Sequence, residues 1–358
     1  MTRFILRRLA LTIPVLFGIL FLVFALARVV PGDPCRAVLG ERATDAVCDA
    51  FAKRNGLDQP IPVQFAIYLG QVASGDLGNS LKLSRPVGQM LIDRLPTTVE
   101  LTLLAMFFAV IVGIPLGLWS AVRHNSKADV GTMVFANLGV SIPVFVLGLM
   151  LAYLFGVVLK DTPFSLPPSG RLSSGVRVES LVQVWHLKGL TGPLKGLLDF
   201  LSGIYIPTAI ITGQWNAAVD AFRHLLLPAL ALSTIPMAII ARITRSSLLD
   251  VLGRDYVRTA RAKGLKERSV VLRHGARNAL LPVVTIVGLQ LGALLSGAVL
   301  TETVFNLAGV GRTLYEAITG RDYVVIQGFT LTIAIIYVIV NLLVDLSYGI
   351  LDPRVRQQ

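Results

Sequence analysis

Charge is scarce in this chain. Only 15% of its 358 residues are Asp, Glu, Lys or Arg, against about 25% in average soluble domains. With 54% hydrophobic residues and a mean hydropathy of +0.71, that scarcity excludes an ordinary soluble domain and points to a polytopic membrane protein. Cysteine is nearly absent, with only Cys35 and Cys48, and the four histidines (His124, His186, His224, His274) are scattered. No four-ligand metal spacing can be drawn from them. No Gly-Lys pair occurs anywhere, so there is no Gly-x-x-x-x-Gly-Lys-Ser/Thr loop to cradle a nucleotide phosphate. No catalytic triad or carboxylate pair is visible either. No enzymatic activity is therefore expected of the chain. Nucleic acid is not an expected partner despite the net charge of +12. A nucleic-acid face would interleave aromatics with its basic residues, and only Tyr256 interrupts the main basic run.

Long apolar runs are what the sequence does have. A membrane span needs about 20 apolar residues. Residues 1–30 hold the first, with Arg3, Arg7 and Arg8 ahead of it. Its apolar stretch exceeds the roughly 7–15 residues of a signal-peptide core, so an uncleaved helix is expected. Further spans are expected at about 98–122, 131–159, 225–244, 280–300 and 328–348. That gives an all-α protein of six transmembrane helices. Residues 31–97 read as an external loop with short helices, and 160–224 as a second external region. Within it, 197–213 is apolar, yet Gly203 and Pro207 interrupt it. It reads as an interfacial or external hairpin, with Trp185, Tyr205 and Trp215 as surface aromatics.

Charge sets the orientation. Ten Lys and Arg fall between Arg242 and Arg277, two in the short loop Arg123–Asp129, three before the first span, and two (Arg354, Arg356) in the tail. Short basic loops stay in the cytoplasm, so both termini are expected inside. Cys35 and Cys48 then lie outside, where a bridge can form; two separate thiols fit the sequence equally well.

The most patterned stretch is Arg254–Pro282, a basic island between two apolar runs. Asp255 opens it, where a carboxylate favours the positive end of a helix dipole. Tyr256, Val257, Ala260 and Gly264 share one helical face, Arg254, Arg258 and Arg261 another. Gly264 is placed to end the first helix, and Leu265 begins the second arm. A docking surface for another protein and an arginine-held interfacial helix both fit this pattern.

Polar or small side chains inside the spans are candidates for a path through the membrane: Asn137, Ser141, Ser233, Gln290 and Ser296. The glycines Gly288, Gly292 and Gly297 read as helix packing, and Asn341 and Asp345 as side chains reaching back to the interface. Glu302, Arg312 and Glu316 lie in an external loop that reads as a gate or as a cap. Few charges lie inside the spans and no internal repeat is visible, which disfavours an ATP-independent carrier.

The island resembles the cytoplasmic EAA loop of ABC-importer permeases, in the form found in the dipeptide/oligopeptide/nickel branch. The likeness rests on Asp255-Tyr256-Val257-Arg258-Thr259-Ala260-Arg261-Ala262-Lys263-Gly264-Leu265, on His274, and on Arg277-Asn278-Ala279-Leu280-Leu281-Pro282. It continues at Leu95–Glu100, Ser141-Ile142-Pro143, His224–Leu230, Glu302-Thr303-Val304-Phe305 and Asp352-Pro353-Arg354. Pro31-Gly32-Asp33-Pro34 and the long first loop resemble the first, B-type, permease of a pair. Only about 171–216 falls outside the likeness. Arg258 and Thr259 stand where the general importer pattern has Glu and Ala, so a Glu-based pairing with an ATPase does not transfer to position 258. The resemblance implies a type I importer fold in a bacterial or archaeal inner membrane. It implies a second, C-type permease, two cytoplasmic ATPases that bind ATP and Mg, and an external binding protein. The expected cargo is di- or oligopeptides, with nickel chelates, glutathione or oligosaccharides as alternatives. ATPase docking would fall on Asp255, Tyr256, Val257, Arg258, Ala260, Arg261, Gly264 and Leu265.

Overall fold

A computed structural model describes residues 2–29, 34–40, 42–54, 56–187 and 189–351. Among them there is no strand; the sole β feature is one isolated bridge, Asn79 to Pro86. The helices, in chain order, begin with α1 (Thr2–Val29), α2 (Pro34–Leu39), α3 (Asp45–Arg54), α4 (Ile61–Ala73), α5 (Val87–Val122), α6 (Lys127–Ser141) and α7 (Val144–Tyr153). The middle of the chain forms α8 (Leu181–Val184), α9 (Pro193–Ser202), α10 (Tyr205–Ile211), α11 (Trp215–Leu252) and α12 (Asp255–Ala262). The remainder is α13 (Glu267–Ser269), α14 (Arg277–Gly297), α15 (Val299–Val304), α16 (Val310–Thr319) and α17 (Tyr323–Leu351). Wide π-helical turns cover Leu154–Val158 and Val270–Ala276.

Four described helical runs are long and apolar enough to cross a bilayer: Val87–Val122, Trp215–Leu252, Glu267–Leu295 and Tyr323–Val344. The stretch expected as one span at about 131–159 is instead two helices, α6 and α7, meeting at 96°. Ile142 is the cause. It precedes Pro143 and takes an extended conformation (φ −85°, ψ 122°), the region that a following proline ring favours. α9 and α10 form a second bent pair, at 98°. Tyr323 opens α17 ahead of the expected start at 328, and α5 starts at Val87, well before Thr98.

The core is the seam between α5 and α11, joined by α14. Leu101, Ala105, Met106 and Ala109 pack with Leu225, Leu227, Leu232 and Ile240, and with Val283 and Leu294 of α14. Without a hydrophobic drive between helices in lipid, such a seam depends on close backbone approach. Gly113 and Gly117 permit it. A Cβ at Gly113 would lie 2.8 Å from the Met237 carbonyl oxygen, and one at Gly117 would lie 2.6 Å from Thr244 Cβ. Gly117→Ala is therefore expected to pry α5 from α11 at a cost of about 1–3 kcal/mol. Its melting temperature in detergent should fall clearly below the parent's; an unchanged melt would refute the close-approach account.

Gly288 and Gly292 play the same part between α14 and α17. A Cβ at Gly292 would sit 2.9 Å from the Tyr337 ring, and Gly288 abuts Val344. Both glycines are thus packing positions.

The two ends of the bundle differ. At one end Cys35 and Cys48 are bonded, with Cα atoms 5.4 Å apart, joining α2 to α3. Phe65 of α4 packs edge-on against Phe17 and Phe21 of α1. At the same end Arg171 pairs with the buried Glu100, lies 3.7 Å from the centroid of the Tyr205 ring, and donates to the Gly203 carbonyl at 2.5 Å. Ile206 N–H donates to Glu100 Oε1 at 2.6 Å, so α10 is stapled to α5. At the basic end, α5, α6 and α11 meet on Asp129, 3% exposed.

Candidate functional site

The basic end is built by a turn that the sequence specifies closely. α12 is followed by Lys263 and then Gly264, whose φ is +73°. Gly264 N–H donates to the Arg261 carbonyl at 2.9 Å, and Leu265 N–H to the Ala260 carbonyl at 3.4 Å. These are the two bonds of a Schellman cap. From Glu267 the chain turns into a helical run that continues to Leu295. α12 is thus a short lever joined through one glycine to a long helix.

Tyr256, Val257, Ala260 and Gly264 do not share a face in the folded chain. Val257 and Ala260 turn inward, 0% and 6% exposed, onto Val251, Leu252 and Val270. Tyr256 points outward, 44% exposed, and its hydroxyl accepts from Asn278 Nδ2 at 2.9 Å. The sequence pattern missed this split because the partners of Val257 and Ala260 come from the end of the preceding helix and from the turn that follows. Arg261 is engaged by Glu267 through two bonds of 3.1 and 2.7 Å, which raises the pKa of its guanidinium. Arg258 has only Asp255, 3.6 Å away, and both are exposed. The outward surface is therefore Asp255, Tyr256, Arg258, Arg261 and Leu265.

Asp129 ties α5 and α6 to α11, the helix that leads into α12. Its two oxygens accept from Arg245 Nε and Nη2, each at 2.7 Å, from the Ser120 hydroxyl, and from Asn125 N–H at 3.0 Å. Ser126 caps the same helix by accepting from Asp129 N–H. The pairing links residues 116 apart in the chain and was not among the residues singled out from sequence.

The candidates for a path through the membrane divide. Ser233 is fully buried and its hydroxyl donates to the Leu230 carbonyl, a packing role. Asn137 is exposed and accepts from Arg242 at 2.9 Å; Ser141, also exposed, donates to the Asn137 carbonyl. Gln290 is half-buried on α14. The side chains of Ser296 and Asp345 lie outside the described residues, as do Arg354 and Arg356. Asn341 is half-buried, and its Oδ1 is buried with no hydrogen-bond partner among the described residues.

The candidates Glu302, Arg312 and Glu316 occupy different settings. Arg312 and Glu316 pair on the exposed side of α16 at 2.8 Å. Glu302 is 0% exposed. Burial pushes its carboxyl pKa up, against donors from Thr98, Arg312 N–H and Gly311 N–H that favour the ionised form. Among the described residues no His, Cys, Asp and Glu group could hold a metal.

Comparison with known proteins places this arrangement. Residues 113–357 match the family described as binding-protein-dependent transport system inner membrane component, and residues 1–102 match the N-terminal membrane-component family of the same systems. A dipeptide transport system permease protein of Escherichia coli is 44% identical over the full length of both chains. Its counterpart in Alkalihalophilus pseudofirmus is 42% identical over 99% of this chain and 100% of its own length. A di/tripeptide permease of Pseudomonas aeruginosa is 44% identical over both whole chains. A solved amino acid ABC transporter covers 80% of this chain at a TM-score of 0.42 and 15% identity, too slight a likeness to place any helix. The chain is an integral membrane protein and belongs to the family of inner membrane components of binding-protein-dependent transport systems.

Proposed function

We propose that this chain is one of two permease subunits of an ABC importer for di- and oligopeptides. The observation that carries the reading is the end-to-end identity of 42–44% with permeases named for dipeptide or di/tripeptide transport. Six spans follow: α1, α5, the bent α6–α7 pair, α11, α14 with its preceding turns, and α17. The α9–α10 pair is left outside the count. With 10 and 7 residues, its arms reach about 15 and 10 Å, and a right-angle bend keeps the pair short of a core about 30 Å thick. The Cys35–Cys48 bridge suits an oxidising exterior, and the basic island suits the cytoplasm. The host membrane is then a bacterial or archaeal inner membrane.

In this reading two ATPases, holding ATP and Mg, sit under the island and under a second, C-type permease. The outward face of α12 seats in one ATPase. ATP-driven closure shifts the equilibrium between inward- and outward-facing states through contacts that differ between them. An external binding protein delivers the peptide. The residues that suit ATPase contact are Asp255, Tyr256, Arg258, Arg261 and Leu265, with Gly264 as the joint and Val257 and Ala260 as its internal support.

The test is purification and uptake. A tagged chain drawn from its native membranes should bring a second permease and ATPases with phosphate-binding loops. Deletion should lower uptake of labelled dipeptides at least tenfold. A chain that purifies alone and moves dipeptides without ATP would overturn the reading.

A further inference from the structure

Glu302 is a fully buried carboxylate with no cation against it. Among the described residues no Lys or Arg side chain reaches it; Arg312 offers only its backbone N–H. What answers the charge is the start of α16. That helix begins after Gly309, which has no side chain to cap it, so its first N–H groups need outside acceptors. Glu302 Oε2 accepts from Arg312 N–H at 2.9 Å. Thr98 Oγ1 accepts from Val310 N–H at 2.9 Å while donating to Glu302 Oε1 at 2.6 Å. Two orphan donors are thus met by two side chains, one from α5 and one from α15. The positive end of the helix dipole favours the charge. Close approach needs Gly309, which abuts the carboxylate, and Gly311, where a Cβ would lie 2.6 Å from Val299 Cα.

The far end of α16 is pinned in the same manner. Asp322, 4% exposed, accepts from the Ser80 hydroxyl at 2.6 Å, from Lys82 N–H at 3.2 Å, and from Leu81 and Val325 N–H at 3.3 Å each. Between the pins, Val310 and Ala317 pack on Val87, Met90, Leu91 and Phe329.

We propose that Glu302 is the positioning residue of a fixed external cover: together with Thr98 and Asp322 it seats α16 on α5 and α17, and α16 stays seated through the transport cycle and does not swing as a gate. The clause about the cycle rests on the importer reading. Lifting α16 would strip two N–H groups and a carboxylate of their partners together, and unpaired buried groups are costly. Glutamine at 302 can still serve. Its oxygen can accept from the helix, and its amide can donate to Thr98. Alanine cannot.

Cys35 and Cys48, the chain's two cysteines, are bonded to each other, so introduced thiols stand alone. In membranes, Val310→Cys is expected to resist a membrane-impermeant maleimide in the parent and in Glu302→Gln. It should react at least tenfold faster in Glu302→Ala. Equal protection in Glu302→Ala overturns the positioning role, and this arm needs no transport. In the assembled importer, a reducible cross-linker between Lys82→Cys and Thr319→Cys, both exposed and adjoining at the end of α16, is expected to form and to leave more than half of peptide uptake. Uptake abolished by the cross-link and restored by reductant would show that α16 moves, and would overturn the fixed cover. Absence of uptake in the parent, with the labelling as expected, would refute the importer reading and leave the clamp standing.

Discussion

Asp129→Ala is expected to be among the most destabilising single changes in the chain, at about 3–5 kcal/mol. The carboxylate is 3% exposed and accepts from a guanidinium, a hydroxyl and a backbone N–H. Removing it leaves the half-buried Arg245 with no counter-charge, and Ser120 and Asn125 N–H with no acceptor. The damage spreads because these donors belong to α5, the turn before α6, and α11. The reciprocal change, Arg245→Ala, leaves Asp129 with two neutral donors and should cost less. Replacing both with apolar residues of similar volume removes the unpaired charge and should recover much of the loss. Thermal melts in detergent should rank the variants: parent, then the double variant, then Arg245→Ala, then Asp129→Ala. If Asp129→Ala melts with the parent, the pairing does not organise this end of the bundle.

The same residue shows where sequence reading stops. The apolar runs were legible because burial in lipid imposes a length and a composition on each span. So was the end of α12 at Gly264, since a positive φ there favours glycine and the pattern of small and basic residues stops with it. The helix break at Ile142–Pro143 was present in the sequence, yet Pro96, Pro115, Pro228, Pro236 and Pro282 all stay inside helices. Burial does not separate them: Pro96, Pro228 and Pro236 are buried, while Pro115 and Pro282 are exposed, as is Pro143. Asp129 with Arg245 and Glu302 with Thr98 join positions 116 and 204 apart. One sequence shows no covariation, and each residue read alone is an ordinary loop charge. Glu302 was noticed as a gate candidate because it is acidic and external. Its burial, which changes its meaning, arises from two glycines that let α16 approach. At α12 the spacing indicated a helix correctly but not which face turned inward, because an eight-residue helix takes its orientation from its neighbours.

Gly264→Pro should have the largest effect on activity while sparing the bundle. Gly264 holds φ at +73°, and its N–H donates to the Arg261 carbonyl. Proline fixes φ near −65° and has no N–H, so both the turn and one of its bonds are lost. α12 would then lose its register on Val251, Leu252 and Val270, and its outward residues would no longer present as a rigid surface. The spans do not depend on this turn, so the protein should still reach the membrane in near-parent amounts. On the importer reading proposed above, peptide uptake is expected to fall more than tenfold, while ATP hydrolysis by the ATPases of that reading continues without responding to peptide. Milder changes should grade with backbone tolerance. Asn visits the left-handed region more readily than other residues with a Cβ. Ala pays about 1–2 kcal/mol there, equivalent to roughly five- to thirtyfold in an equilibrium. The expected order of uptake is Gly, Asn, Ala, Pro. Space cannot explain such an order, because nothing lies within 4 Å of a Cβ placed at Gly264; only backbone conformation can. Equal uptake across the four would show that force does not pass through this turn, and the ATPase would have to engage the chain elsewhere.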